Sequence, residues 1–254
     1  DHFDLDLERL RCAKESTVSV MERSLSHKGQ LTPVIVTQQQ DRYLLVDGFK
    51  RYRAAQRLNL GALNAVVVAV DKKKAKAMLY LLNRPGSFSM IQEALLVSEL
   101  IEIDGLTRKE AGLLLDHHKS WISRRLAMVR RLSAEVIDAL LLEQIPPGVG
   151  SSLARIPACN QVDFAAAIQA HQLTPNEIHR VVDFYCKAPH PDIKQTILQS
   201  PRNALRVVEE KLRLGKLIVK AIEMLGVIEQ MIGAERKEKI QTVKSILNEI
   251  LEEA

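Results

Sequence analysis

The chain has 254 residues, 46% of them hydrophobic, and a formal net charge of +5, enough apolar material for more than one small core. Its longest apolar runs, such as Ala65–Val70, fall far short of the roughly 20 residues of a membrane-spanning helix, and no charged-then-apolar leader opens it. Three well-separated cysteines, Cys12, Cys159 and Cys186, argue against a disulfide framework or a metal cluster and for a reducing cytoplasm.

The first residue is Asp1, which points to a longer parent chain. In chain order, Val18–His27 reads as a helix ended by Gly29. Val34–Thr37 and Tyr43–Val46 are short β-rich runs on either side of a polar stretch, and Ala65–Val70 is a third. Between them, Asp47-Gly48 turns the chain into a helix over Phe49–Leu58, with Arg51, Arg53 and Arg57 at helical spacings. This is a small α+β domain with a mixed sheet, assigned to residues 1–84.

Beyond Asp71 the strand signal vanishes. Helices are expected over Lys72–Leu82 and over Met90–Ile103, the second capped by Ser89 with Gln92 behind it. The breaker Asn83-Arg84-Pro85-Gly86-Ser87 separates them. Helices near Ala134–Leu142, Asn160–Ala170 and Pro175–Cys186 complete a mainly α domain over 85–187. The prolines at 191 and 201 mark a linker over 188–203. From 204 to 254, Ala204–Ile232 and Glu235–Glu252 place apolar residues at helical steps around Gly233, including Leu205, Val208, Leu212, Leu217, Ile228, Val243, Ile246 and Ile250. That pattern is a helical hairpin, which buries too little alone and calls for a partner.

Residues 107–131 carry the strongest signal. Thr107 with Glu110 forms a capping-box pattern, Ala111 and Gly112 are small where two helices must approach, and Leu113, Leu114 and Leu115 supply apolar contacts. Asp116-His117-His118 is the turn, with Asp116 tolerant of the left-handed conformation. A second helix starts near Lys119, with Ile122, Leu126 and Val129 facing inward. This is the pattern of a helix-turn-helix. His118, Lys119, Ser120, Trp121, Ser123 and Arg124 lie near its exposed N-terminal half, within reach of base edges or phosphates. Arg124 is the candidate guanine reader; Arg125, Arg130 and Arg131 are candidate phosphate contacts. Thr107 and Arg108, at the start of the first helix, complete the set. The competing reading is a solvated basic face on an ordinary helical pair, with Trp121 a core side chain.

Two segments together resemble the ParB-type chromosome and plasmid partition family. One is Gly29–Val36 followed by Asp47-Gly48-Phe49-Lys50-Arg51-Tyr52-Arg53-Ala54-Ala55; the other is the helix-turn-helix. Ile145–Arg155 is similar to the segment that follows in that family. The resemblance covers about residues 15–185. It implies CTP with Mg²⁺ as a ligand, a dimeric clamp on double-stranded DNA, a ParA-like ATPase as partner, and a bacterial cytoplasm where the protein sits on nucleoid or plasmid. By motif, Gly48, Lys50, Arg51 and Arg53 would meet the phosphates, and Gln30, Leu31, Thr32 and Pro33 would line the nucleotide's other side. The chain departs from the family in two places. Phe49 stands where the family has Glu, and Leu81-Leu82-Asn83-Arg84-Pro85 stands where it has Glu-Asn-x-x-Arg. Asn83 and Arg84 survive, but without the acid Mg²⁺ loses a hard oxygen ligand, which argues against CTP hydrolysis.

The expected function is sequence-specific binding of an inverted repeat by a homodimer, in partition or transcriptional control. Two alternatives are an enzyme on the related sulfiredoxin-like fold, where Asp47-Gly48 and Arg51 would hold a phosphate, and an adaptor whose terminal hairpin recruits an ATPase or a transposition protein. No reactive cysteine adjoins the motif and no Ser/His/Asp constellation is present, so no catalytic residue and no metal ligand is assigned.

Overall fold

The computed structural model describes residues 3–11, 15–84, 88–231 and 234–253, with the side chains of Leu212, residues 229–237 and Glu253 left aside. Cys12, the Pro85-Gly86-Ser87 break, and Ile232 and Gly233 of the hairpin tip therefore lie outside the described residues. Two compact units divide the chain between Pro175 and Asn176.

The first unit opens with β1 (Phe3–Asp4), a 3₁₀ turn (Asp6–Leu10) and α1 (Glu15–Lys28). Then come β2 (Val34–Gln39), β3 (Arg42–Asp47), α2 (Phe49–Arg57), β4 (Ala65–Val68) and α3 (Lys72–Asn83). Among the described residues the strands form one mixed sheet in the order β1-β3-β2-β4. β2 and β3 are an antiparallel hairpin, with β1 parallel to β3 and β4 parallel to β2. Nothing in the apolar pattern marked β1 or the 3₁₀ turn, because two-residue and five-residue segments show no period. Yet Leu7 and Leu10 of that turn are among the most buried side chains.

The helical part follows as α4 (Met90–Ser98), a π turn (Glu99–Ile103), α5 (Arg108–Leu115), α6 (Lys119–Arg131), α7 (Ala134–Leu141), α8 (Gly150–Leu153) and α9 (Ala158–His171). One continuous core runs from the sheet into these helices. Val34, Val36 and Leu44–Val46 share it with Phe49, Leu79 and Tyr80, and with Leu96, Leu100, Ala111, Leu115, Ile122 and Leu126. The sheet and the α5–α6 pair are thus packed as one body across residue 84.

The expected helix over Met90–Ile103 is α-helical only to Ser98. It then widens where Glu99 is carried inward to Lys76, whose side chain is 1% exposed. The Lys76 ammonium lies 2.9 Å from Glu99 and 2.7 Å from Asp104, and Arg9 donates to Glu99 at 3.0 Å. A buried ammonium is tolerable only when it is paired in this way. Two apolar assignments shift as well. Leu113 is 76% exposed, and in α6 it is Met128 rather than Val129 that is buried, its sulfur packed beside Gly150 of α8.

The second unit contains α10 (Pro175–Lys187), α11 (Pro191–Gln199), α12 (Pro201–Met231) and α13 (Ala234–Glu253). The expected linker over 188–203 is mostly α11. Pro191 sits at its first position, where its missing N–H costs nothing, and Ile197 is buried. α10 and α12 are tied by Arg202–Glu177 (2.9 Å) and Arg180–Glu209 (2.6 Å). α12 and α13 form the expected antiparallel hairpin, with Gly215 against Leu251 and Gly226 against Lys244. Among the described residues no helix is long and apolar enough to cross a membrane.

Candidate nucleic-acid and nucleotide interfaces

The α5–turn–α6 segment is fixed by local chemistry. Thr107 caps α5 by accepting from the Glu110 N–H (3.2 Å), and the Glu110 carboxylate accepts from the Thr107 N–H (2.8 Å). That second bond holds the Glu110 carboxyl below its ordinary pKa. Asp116 ends α5 at φ +57°, in the left-handed region. Gly112 is required by the close approach of the turn: a Cβ there would sit 2.6 Å from the His117 carbonyl oxygen.

The two adjacent histidines diverge. His117 turns inward, stacked on Trp121 with centroids 3.8 Å apart, and its Nε2 lies 2.7 Å from the Tyr80 hydroxyl. Burial lowers the His117 pKa, with the Arg84 charge adding to the effect, and burial raises that of Tyr80. Both shifts favour a neutral pair in which the phenol donates to the imidazole. His118 turns outward and caps α6, its Nδ1 accepting from the Ser120 N–H (3.3 Å).

Trp121 belongs to this inward aromatic group with Tyr80 and His117, so the structure gives it a packing position. Arg125 lies over the Trp121 ring (4.9 Å) and donates to Glu93 (2.7 Å) across to α4, so it too is held by the protein. Arg130 pairs with Glu102 at the surface (2.9 Å). His118, Lys119, Ser120 and Arg124 are exposed at the front of α6, Ser123 is half-buried, and Thr107 and Arg108 are exposed at the start of α5. Arg131 is exposed near the end of α6. Arg124, Arg131 and Lys119 enter no ion pair among the described residues. Sequence reasoning missed Gln161. It is fully buried and donates to the Arg131 and Ile156 carbonyls (2.8 and 2.9 Å) while accepting from the Ser133 N–H (2.8 Å), which fixes where α6 ends. A lone polar residue on an apolar helix face gives little warning of such a role.

The second site gathers around the start of α2. Gly48 has φ +105°, and a Cβ there would lie 2.7 Å from Val34 Cγ1, so only glycine lets α2 start this close to β2. No side chain caps α2 and its first turn holds no acid, which leaves amide N–H groups and the positive dipole end open to an anion. Arg51 donates to the Thr32 carbonyl (2.9 Å), to the Pro33 carbonyl, and to Asp47 (3.1 Å). Asp47 also accepts from Asn83 (2.9 Å). Gln30 locks the same loop through Thr32 and through both backbone groups of Asn64. Thr32, Pro33, Gly48, Arg51 and Asn83 are therefore brought together, with Asp47 at their centre; Leu31 is exposed and Lys50 half-buried beside them.

Two of the expected contacts lie elsewhere. Arg53 forms a two-pronged pair with Glu8 of the 3₁₀ turn (2.8 and 2.5 Å), which raises its pKa. Arg84 reaches Asp116 in the helix-turn-helix (2.9 Å). Arg11 was missed by sequence reasoning. Its guanidinium lies over the Phe88 ring (5.5 Å) and is depressed in pKa by burial, which the Asp47 charge opposes. Among the described residues no group of three or more His, Cys, Asp or Glu stands close enough to hold a metal ion.

Residues 7–83 match the model of the ParB N-terminal domain. The chain is 33% identical over 146 residues to the chromosome-partitioning protein Spo0J of Thermus thermophilus, covering 57% of this chain and 53% of that protein. It is 26% identical over 207 residues to a probable chromosome-partitioning protein ParB of Neisseria meningitidis, covering 81% and 72%. A nucleoid occlusion protein of Oceanobacillus iheyensis matches at 24% over 131 residues, covering 50% and 46%. The chain spans about half the length of several of these curated relatives. Among solved structures, a C-terminally truncated ParB of Caulobacter crescentus complexed to the centromeric parS site aligns at 21% identity with a TM-score of 0.41, over 68% of this chain and 90% of that one. The same protein complexed with CTP-gamma-S aligns at 22% and 0.29, over 63% and 91%. Residues 7–83 thus match the ParB N-terminal domain, and the chain as a whole is similar to chromosome-partitioning proteins of the ParB type.

Proposed function

We propose that this protein binds a specific duplex DNA site through α6, as a ParB-like protein acting in DNA partition or in transcriptional control. The observation that carries the reading is the exposed front of α6. Lys119, Ser120, Arg124 and, further along, Arg131 stand clear of internal ion pairs on a helix whose turn is fixed by Gly112 and Asp116. Such a helix N-terminus enters a major groove, where Arg124 can bond a guanine edge in bidentate fashion while Lys119 and Arg131 neutralise phosphates. The partition proteins among the relatives support the same process. The exposed apolar side chains of the α12–α13 hairpin, among them Leu217, Met224 and Ile246, fit a homodimer joined there. A two-fold dimer reads an inverted repeat, with half-sites one helical turn of DNA or a multiple of it apart. A ParA-like ATPase is the partner this reading implies.

A nucleotide fits the second site in part. The uncapped start of α2 with Lys50 suits the phosphates of CTP, and the Gln30–Pro33 loop, held in place by Gln30 and Arg51, gives them a wall. The metal does not fit equally well. Asp47 is the carboxylate in reach, and it already serves Arg51 and Asn83. The site therefore binds CTP and does not hydrolyse it.

Fluorescence anisotropy with random and selected duplexes across a salt series tests the DNA reading. Specific binding should fall steeply with salt, and equal affinity for all sequences would defeat the assignment of a specific reader. Titration of labelled CTP, ATP and GTP, with and without Mg²⁺, tests the nucleotide reading separately; no saturable binding of any of them would remove it and leave the DNA reading intact.

A further inference from the structure

β4 is an outer strand of the sheet and pairs with β2 alone, from Val34 opposite Ala65 to Thr37 opposite Val68. Among the described residues, the groups on its other side have no strand to meet. Sheet edges are normally guarded by a charge, a proline, a bulge or a covering element, because an open edge is a template for another strand. Asn64–Val70 reads Asn-Ala-Val-Val-Val-Ala-Val and holds no charge and no proline. Successive side chains of a strand point to opposite faces, yet Val66 is 46% exposed and Val67 is 56% exposed, so both faces are partly open.

We propose that β4 is a self-association edge that pairs, antiparallel, with β4 of a second copy and joins two sheets into one. The occupant follows from the pattern of charge. An uncharged strand offers no counter-ion to a charged foreign segment, but its own valines match it, and cross-strand pairs of β-branched residues are favourable. The direction follows from Lys72-Lys73-Lys74, which open α3 a few residues past the end of the strand. Antiparallel pairing places the two lysine runs at opposite ends of the joined strands, whereas parallel pairing would bring them together at one end. Four residues bury far less than the roughly 1,200 Å² of a standard stable interface. The contact is weak by itself and acts where copies are already concentrated. It is independent of the α12–α13 hairpin and of either ligand.

The test uses the full chain with Cys12, Cys159 and Cys186 replaced by Ser. A bis-maleimide cross-linker should join Val67→Cys copies on the order of tenfold faster than Val20→Cys copies, because paired strands hold their thiols at a raised effective concentration. Val20 is a fair control, being equally exposed on α1. In sedimentation equilibrium the parent should show an association step at high concentration that the double variant Val66→Lys/Val67→Lys lacks, with its thermal melt unchanged. Equal cross-linking at the two positions, or the same association in the double variant, would overturn the proposal.

Discussion

Two helices of this protein are rich in arginine, and they use it in opposite ways. On α2, Arg51 is spent on Asp47 and two loop carbonyls, Arg53 on Glu8, and Arg57 on Glu15 (2.5 Å). On α6, Arg125 and Arg130 are also committed to carboxylates, but Arg124 and Arg131 are left to solvent. The first helix uses charge to assemble the fold around its own N-terminus; the second leaves two guanidinium groups exposed. Both helices are basic and hold no acid of their own, and the position of the neighbouring acids separates them.

The largest effects should come from the two glycines that let each helix start where it does. Gly112→Val drives a side chain into the His117 carbonyl, and Gly48→Val combines a left-handed φ with a collision against Val34. Each should cost about 1–3 kcal/mol from overpacking alone, read as a lower melting temperature. Gly112→Val should lose DNA binding as well, whereas Gly48→Val should first lose nucleotide binding. If either variant melts like the parent, the close approach described for that helix is wrong.

The arginines of α6 give the next test. Arg124→Ala should lose about 1–3 kcal/mol of discrimination between specific and random DNA, while Arg131→Ala should weaken both equally and reduce the salt slope by about one. Arg125→Ala should lower the melting temperature through the lost Glu93 and Trp121 contacts and leave the salt slope nearly unchanged. A large change of salt slope in Arg125→Ala would show that it reaches DNA after all.

On α2, Arg53→Ala should cost less than about 1 kcal/mol, since its pair with Glu8 is partly solvent-screened, and CTP affinity should be retained. Loss of CTP binding in Arg53→Ala with an intact fold would return that residue to the nucleotide site.

The smallest effect concerns pH. The folded pKa of His117 is below its unfolded value, so the unfolded chain binds the proton more readily. The stability that follows is present above the ordinary histidine pKa and is lost as pH falls through the lower, folded one. Denaturation profiles between neutral and mildly acidic pH should therefore slope downward toward acid, and His117→Gln should flatten that slope. An unchanged slope in the variant would mean that the ring is not held neutral.

Much of this was legible in the sequence. The three longer strands, the helix after Gly48, the capping boxes at Ser89 and Thr107 and the left-handed Asp116 all follow from local propensity, period and turn chemistry. So did the candidate front of α6. Less legible were the short β1, the 3₁₀ turn with its buried Leu7 and Leu10, the helix inside the expected linker, and the π turn at Glu99. These are segments whose form depends on distant partners: Tyr43 and Leu44 for β1, Lys76 and Arg9 for Glu99.

The sequence by itself determined most of the helices, their capping residues and a likeness to the ParB N-terminal domain over residues 7–83. Only the tertiary structure decided which charges are available. It turned Trp121 and Arg125 inward, paired Arg53 with a residue 45 positions away, sent Arg84 to the helix-turn-helix, and left the edge of β4 open. Local structure follows from bonds between near neighbours in the chain. Ion pairing and exposure depend on residues that only folding brings together.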